Sequence, residues 1–515
     1  MINLKTDRVI IAGLTLAAFI LWLSQLGNLA LRDWDEGYYA TVSQDMFNRQ
    51  AWLFPTYQGQ PFWLKPPLLL WLIHLSYQVG GVNEFSSRFP SAVITALGVP
   101  LVYLVGQALF KNRLTAFFSA TVYLTLLPVV RLGRLAMLDG MINTFLLLSL
   151  WGLLQGLTQP VWLILVGLGL GLIALSKGVL AIAFLGLLLG FILWEGQIKI
   201  LRSPWWWLGL GLGFLPVIGW YGLQIQQYGA EFIRVHFLAQ SVERLNTAVE
   251  GNTGPFFFYG LEVLKYTAPW LFFFLPGMVR QWQQLPQRSA KFTLGIGLGF
   301  FLLISLMQTK LPWYVLPFYI FFALMTGDYL SYLTTQAKTY PRLITYLLGL
   351  VSLVGLGGWI YFTFIAFQWP LSLMAGCLTL TLSLTTFYFY RHQSQAFWCL
   401  IGGLYLTLGF LMISPVWNWE INEAFAVKPV GALLKAQTPP QTIIYTSFAY
   451  SRPSLDFYSD RQVLAVGEKE LQELANQSHY LLLQPEVLKK LPVSSYRKLG
   501  QTGIFTLIKT HPNPP

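Results

Sequence analysis

Charge is the first thing this chain has little of. Of its 515 residues only 10% are Asp, Glu, Lys or Arg, against about 25% in a typical soluble domain, and mean hydropathy is +0.55. Such a chain cannot cover itself with a solvated surface, which excludes an ordinary soluble enzyme and points to a membrane protein. Cysteine is scarce too: Cys377 and Cys399 both lie in apolar runs, so neither a disulfide framework nor a thiolate metal site is available. The five histidines, at 74, 236, 392, 479 and 511, form no ligand spacing. No glycine pattern of a nucleotide-binding loop follows a strand, so nothing marks a site for a nucleotide sugar. Internal repeats are absent, as is low complexity beyond the terminal HPNPP. The net charge of +12 has no basic, aromatic-interleaved soluble domain to sit on. It is read as an orientation signal and an attraction to anionic lipid, with no nucleic acid as partner.

Apolar length, by contrast, is abundant. A span needs roughly 20 apolar residues to cross about 30 Å of hydrocarbon. That rule gives thirteen candidates, near 9–27, 89–110, 114–130, 140–157, 160–176, 178–194, 204–223, 265–279, 292–307, 313–331, 342–366, 369–389 and 396–413. The first is long for a signal-peptide core and lacks a small-residue cleavage site, so it reads as a retained span with a cytoplasmic N-terminus. Pro66–Gly80 is only 15 residues long and opens on two prolines; it is expected to lie flat in the interface. Alternate counting then gathers 12 Lys and Arg with Asp7, Glu195 and Asp328 on the N-terminal side, against 11 basic and 10 acidic residues outside before residue 420. The basic tally is almost even. The sharper asymmetry is that outer cations are matched by carboxylates in number and inner ones are not.

The expected architecture is an all-α polytopic membrane domain over 1–419, with outer juxtamembrane segments at 28–88 and 224–264. A small α/β domain outside the membrane follows over 420–515, where 18 charges fall in 96 residues and the runs TIIYTS, QVLAV and HYLLLQ alternate like strands.

Charge beside a span is expensive, and each such residue is a functional candidate. Arg32-Asp33-Trp34-Asp35-Glu36 follows the first span; the structural alternative is Asp33 or Asp35 capping the helix that follows. Lys65 precedes Pro66 and Pro67 and could simply snorkel to headgroups. Arg134 and Asp139 lie five apart at the head of a span, where they could close a helix end as an ion pair. Lys310 and Tyr314 stand in KLPWYVLP at an outer span end. Three cations and three acids on one face suit an anionic lipid substrate, with cations on its phosphate and a carboxylate taking a proton from the attacking group.

The order WDEGYYA, PFWLKPPLLLWL, GVNEFSSRFPSA, GRLAMLD, LSKG and TKLPWYVLPFY resembles the polyprenyl-phosphate-sugar-dependent glycosyltransferases of the GT-C fold. Within these it is most similar to the lipid A aminoarabinose transferases and bacterial relatives of the protein O-mannosyltransferases. The likeness runs from about residue 30 to 320 and, more loosely, through the outer domain. It implies thirteen spans, juxtamembrane helices after the first, and an outward site fed by a lipid-linked sugar. It also implies Asp35 as the catalytic carboxylate with Glu36 beside it, Asp139 as a further catalytic carboxylate in the second polar motif, and Lys65, Arg134, Lys310 and Tyr314 around the donor phosphate. Lys177 in LSKG matches a family position without an assigned role.

Some relatives hold a divalent metal at two positions that are Leu64 and Asn252 here. A leucine cannot ligate and an amide is a poor zinc ligand, so that metal is not expected here, a divalent metal held by other residues stays open, and no other cofactor is indicated. The function that follows is inverting transfer of a sugar from a polyprenyl phosphate to a lipid, glycan or protein acceptor at the outer face of a bacterial cytoplasmic membrane. The alternative is a transporter or flippase of lipid-linked sugar, although transporters tend to carry their ionisable groups near the midplane.

Overall fold

The computed structural model describes residues 4–237, 251–418, 426–448, 450–491 and 495–511. The expected boundary at 419/420, the middle of the 224–264 segment and most of HPNPP lie outside the described residues. The chain divides into two compact units. One comprises Met1–Leu26, Trp63–Leu69 and Arg88–Trp417; the other comprises Gly27–Phe62, Leu70–Ser87 and Asn418–Pro515. The juxtamembrane stretch after the first span thus clusters with the C-terminal region, apart from a short piece around Lys65.

The first unit is helical. It opens with α1 (Leu4–Leu23); the helices α2 (Asp35–Arg49) and most of α3 (Leu68–Gly80) belong to the second unit. Then come α4 (Glu84–Ala96), α5 (Gly98–Phe110), α6 (Arg113–Leu124), α7 (Leu127–Gly133), α8 (Leu138–Gly156), α9 (Ile164–Lys177), α10 (Leu180–Trp194) and α11 (Pro204–Ile233). After residue 250 follow α12 (Phe258–Tyr266), α13 (Leu271–Gln283), α14 (Arg288–Leu306), α15 (Phe318–Thr335), α16 (Arg342–Ile360), α17 (Trp369–Tyr390) and α18 (Gln395–Met412). Among the described residues nine helical stretches are long and apolar enough to cross a membrane, ten if the bent α6–α7 pair is one span. That pair bends by 58° at Leu126, just before Pro128, whose ring removes an amide and obstructs the preceding turn. With 13 residues, α3 reaches only about 20 Å, short of a crossing.

Apolar burial does not drive helices together in lipid; close packing does. The contact between α9 and α11 shows how close. A Cβ added at Gly167 would lie 2.0 Å from the Gly209 carbonyl carbon, and one at Gly171 would lie 2.1 Å from the Gly213 oxygen. On its other side α9 packs against α8, where a Cβ at Gly169 would meet Ser149 Oγ at 2.2 Å. Since α8 and α9 are joined by the short 3-10 turn Pro160–Leu163, they form a helical hairpin. The head of α8 and the tail of α9 therefore share one end of the bundle.

The other end of the unit holds the three acids expected on the cytoplasmic side, and each is paired. Asp7 accepts from Arg113 Nε at 2.8 Å and Tyr103 Oη at 2.7 Å. Glu195 accepts from Arg288 at 2.8 Å and Lys291 at 3.3 Å, and Asp328 from Arg280 at 3.1 Å. The cations at this end are therefore partly matched by carboxylates; the imbalance is one of number, not an absence of pairing.

The second unit ends in a five-stranded mixed sheet of order β4-β3-β5-β7-β6. Its strands are β3 (Ile443–Thr446), β4 (Gln462–Ala465), β5 (Tyr480–Leu483), β6 (Tyr496–Thr502) and β7 (Phe505–Thr510), after the short hairpin β1 (Thr56–Tyr57) and β2 (Gln60–Pro61). The three alternating runs seen in the sequence are β3, β4 and β5, as expected of a small α/β domain. The two-residue period sends Leu482 and Leu507 to one core with Leu434 and Leu455, and Leu481, Leu483 and Ile508 to a second core with Leu471. The sheet is thus covered by α19 (Val427–Gln437) and α20 (Pro453–Ser459) on one face and α21 (Glu468–Ala475) on the other.

Candidate functional site

The hairpin brings together two residues that are 38 apart in sequence. Asp139 is in the first turn of α8 and Lys177 in the last turn of α9. Each charge suits its helix end, a carboxylate at an N-terminus and a cation at a C-terminus. Lys177 Nζ donates to Asp139 Oδ1 at 2.6 Å, and the two side chains are 20% and 10% exposed. The ammonium also lies 4.4 Å from the ring centroid of Tyr314. Tyr314 sits in the turn Pro312–Val315 ahead of α15, and that segment is held by Asn143, one turn beyond Asp139 on α8. Its Nδ2 donates to the Leu316 carbonyl at 3.0 Å and reaches Tyr123 Oη at 3.1 Å. Asp139, Lys177 and Tyr314 therefore form a built, mostly dehydrated cluster. Asp139 pairs with Lys177, so the Arg134–Asp139 ion pair that stood as the structural alternative is not the one formed.

Lys65 approaches the same neighbourhood from its own segment. His236 Nδ1 bonds the Trp63 carbonyl at 2.6 Å while its Nε2 meets Tyr221 Oη at 2.8 Å. The carbonyl can only accept, so Nδ1 carries the proton and Nε2 accepts from the tyrosine. This chain abuts Gly178, beside Lys177: a Cβ there would lie 3.0 Å from Tyr221 Oη and 3.8 Å from His236 Nε2. Gly178 has φ 41°, in the region that favours glycine. Lys65 itself is half-buried, and its charge is felt at His236.

Two expected phosphate ligands go elsewhere. Arg134 is fully buried and donates to the carbonyls of Leu21, Ser24 at 2.6 Å and Met412 at 3.4 Å, with its guanidinium 4.5 Å from the Trp417 ring. It ties together the C-terminal ends of α1 and α18, whose last carbonyls lack intrahelical partners. Lys310 is 4% exposed and caps α14 in the same way, donating to Ser305 O at 2.6 Å and Ile304 O at 3.3 Å. Burial holds its pKa below the usual lysine value.

Within the second unit the three clustered acids separate by role. Asp33 is buried, receives Arg452 Nη1 at 2.9 Å and the Ser454 amide at 3.0 Å, and so fastens the start of α2 to α20. Glu36, 1% exposed, accepts the Arg32 amide at 2.8 Å. Neither Asp33 nor Asp35 caps α2: the residue before it is Trp34, at φ 64°, and no side chain caps that end. A tryptophan in this backbone region stores strain of about 1–3 kcal/mol, and its ring stacks 5.0 Å from Tyr450. Asp35, half-buried, has Tyr39 Oη at a loose 3.5 Å. Of the three it is the one whose oxygens are least committed to structure.

Among the described residues no three His, Cys, Asp or Glu side chains converge as a metal would require, and Leu64 offers no donor atom.

Comparison with known proteins meets this geometry at both ends. The family model for dolichyl-phosphate-mannose-protein mannosyltransferases matches residues 64–221, the stretch from Lys65 through Asp139 and Lys177 to Tyr221. An undecaprenyl phosphate-alpha-4-amino-4-deoxy-L-arabinose arabinosyl transferase of Pectobacterium atrosepticum is 27% identical over 491 residues, 91% of this chain and 83% of that protein. Its namesake 1 from Pseudomonas fluorescens is 28% identical over 370 residues, 69% of this chain and 66% of that one. Among solved structures, ArnT of Cupriavidus metallidurans bound to undecaprenyl phosphate superposes with a TM-score of 0.81 at 18% identity, covering 97% of both chains.

The chain has the GT-C fold of these transferases. It is a multi-pass membrane protein of that fold with a small C-terminal sheet. Sequence reasoning about this GT-C enzyme missed the partner of Asp139, because Lys177 looked like an ordinary lysine at a helix end. The available signal was its place in LSKG one hairpin away from an acid at the other helix's head. Asn143 and His236 gave no local signal, as both act on backbone carbonyls of distant segments.

Proposed function

We propose that this GT-C enzyme transfers a sugar from a polyprenyl monophosphate to an acceptor by a single inverting displacement at the outer face of a bacterial cytoplasmic membrane. The observation that carries this reading is the Lys177–Asp139 pair under Tyr314 with the Lys65 segment beside it, in a chain similar to named undecaprenyl-phosphate-dependent transferases. Lys177 and Lys65 supply the positive charge that meets the departing lipid phosphate as its negative charge develops. Such fixed charge is worth about a hundredfold or more in rate. Asp139 and Tyr314 hold the Lys177 ammonium in place. Asp35 takes the acceptor's proton or orients it, Glu36 shapes the turn that presents Asp35, and Arg134 and Lys310 brace helix ends around the site. No step needs a metal.

Thirteen spans with an inner N-terminus and an outer C-terminal domain suit this reading, since the three inner acids and their basic partners then share one face. The acceptor is a lipid, glycan or protein hydroxyl or phosphate, and ordinary membrane lipid surrounds the donor. Mass spectrometry of lipids and glycoproteins from a deletion strain identifies it. Complementation with the Asp35→Asn or Lys65→Ala variant is expected to leave the modification missing with expression intact; restored modification by both would overturn the site assignment.

A further inference from the structure

The end of the bundle opposite the Asp139 cluster contains two cavities that meet at one side chain. The first, of about 390 Å³, is polar; Asn112, Gln284, Gln287, Arg288 and Asp328 line it with Arg280. The second, of about 400 Å³, is largely apolar, walled by Leu275, Pro276, Val279, Tyr329 and Tyr332, again with Arg280. Both lie among the ends of α13, α14 and α15. Asp328 is ten residues beyond Phe318 on α15, about 15 Å along the helix from the end that follows Tyr314. The site is thus distinct from the one proposed for transfer.

Its charge is unbalanced toward an anion. Asp328 takes Arg280 Nε at 3.1 Å and Gln281 Nε2 at 2.8 Å on a single oxygen, and Glu195 takes Arg288 Nε at 2.8 Å with Lys291 Nζ at 3.3 Å. Three cations therefore face two carboxylates. Each guanidinium has five N–H groups, of which these contacts occupy one apiece. The Arg280 guanidinium lies over the Tyr332 ring, 4.4 Å from its centroid, at the seam between the polar and apolar cavities. Leu275 and Val279 are about half exposed along the apolar one.

We propose that this pair of cavities is a binding site for one anionic glycerophospholipid. Its phosphodiester lies between Arg280 and Arg288, its glycerol and headgroup hydroxyls meet the amides of Asn112, Gln284 and Gln287, and one acyl chain lies against Leu275, Val279 and Tyr329. A soluble phosphate would use the polar cavity alone and leave the apolar one without a role. An uncharged or zwitterionic lipid would leave the excess cation without a partner. The bound lipid braces the bundle end where α13, α14 and α15 converge, stabilising the folded state by mass action.

The test uses the purified full chain in nanodiscs of equal parts phosphatidylglycerol and phosphatidylcholine, with retained lipid read by native mass spectrometry. The expected result is one retained phosphatidylglycerol with about a tenfold preference over phosphatidylcholine, or about 1.4 kcal/mol. Arg288→Gln is expected to reduce that preference severalfold. The charge-balanced variant Arg280→Gln/Asp328→Asn is expected to abolish it while leaving thermal stability in lipid-free detergent unchanged. Equal retention of both lipids by the wild type would overturn the proposal, as would undiminished preference in both variants. Displacement by millimolar inorganic phosphate would show a free-anion site, and displacement by undecaprenyl phosphate at equal concentration a polyprenyl site; either result would also overturn it.

Discussion

Replacing Lys177 by methionine and Asp139 by asparagine, singly and together, separates what the ion pair does for the fold from what Lys177 does for the donor. In the wild type the pair is 2.6 Å long and its side chains are 20% and 10% exposed. Lys177→Met takes the ammonium away from a carboxylate largely out of water, which costs up to about 3–5 kcal/mol for a buried pair. Asp139→Asn strands the ammonium less severely, because the face of Tyr314 remains 4.4 Å from it and cation–π attraction offsets about 1–2 kcal/mol. The double variant removes both charges together and should recover most of the loss, giving a coupling energy of about 2–3 kcal/mol. Stability is read by SDS titration in mixed micelles and undecaprenyl phosphate affinity by scintillation proximity. Affinity should behave differently, falling by about ten- to a hundredfold in Lys177→Met and in the double variant alike. A double variant that bound undecaprenyl phosphate as tightly as the wild type would refute the placing of Lys177 at the phosphate, however the stability cycle closed.

Three further outcomes follow from the geometry. Asp33→Asn should loosen the second unit, measured by faster amide exchange around Ser454, whereas Asp35→Asn should leave exchange unchanged and remove transfer. Gly171→Val should prevent α9 and α11 from meeting, since even a Cβ would fall 2.1 Å from the Gly213 oxygen; overpacking of a rigid contact costs about 1–3 kcal/mol or more, and reduced yield of folded protein in detergent checks it. Asp456 gives the second unit a pH dependence. Burial, helped by the charge of Asp33, pushes its pKa up to about 7 against the bonds it accepts from Val463, Tyr57 and Gln58. The native unit then keeps a proton that the unfolded chain loses near pH 4. That contribution is complete below about pH 4 and is lost as pH rises toward 7. Melting of the sheet followed by circular dichroism should therefore come at lower temperature at pH 8 than at pH 5, and Asp456→Asn should flatten the difference.

Much of the architecture was legible because membranes impose a simple rule on sequence. Apolar runs of span length marked the helices, and period-two runs marked β3, β4 and β5. The site was legible only where several chemistry-bearing residues were adjacent in the chain, as in WDEGYY, KPP and KLPWY. Which atom does what was not. Arg134 and Lys310 look like phosphate ligands until their carbonyl partners at the ends of α1, α18 and α14 are known; those of Arg134 are set by helix packing over long sequence separations, and those of Lys310 by the fold-back of its own segment onto the end of α14. The same packing converts Lys177 from an unassigned residue into the partner of Asp139. Asp33 is engaged by Arg452 and Ser454 and Glu36 by the Arg32 amide, which leaves Asp35 with the loosest contact of the three. Tallies of inner and outer charge could not reveal that Asp7, Glu195 and Asp328 are each paired, because a count carries no geometry.

The central claim is that donor phosphate leaves at Lys177 and Lys65 while Asp35 serves the acceptor. Single-turnover release of polyprenyl phosphate from a radiolabelled polyprenyl-phosphate sugar, with and without an acceptor extract, tests it most directly. Wild type is expected to release polyprenyl phosphate only when acceptor is present. Asp35→Asn should bind the donor with wild-type affinity yet release nothing, and Lys177→Met should fail at donor binding. Equal release by wild type and Asp35→Asn, or release from a nucleotide sugar in place of the lipid-linked one, would contradict the account.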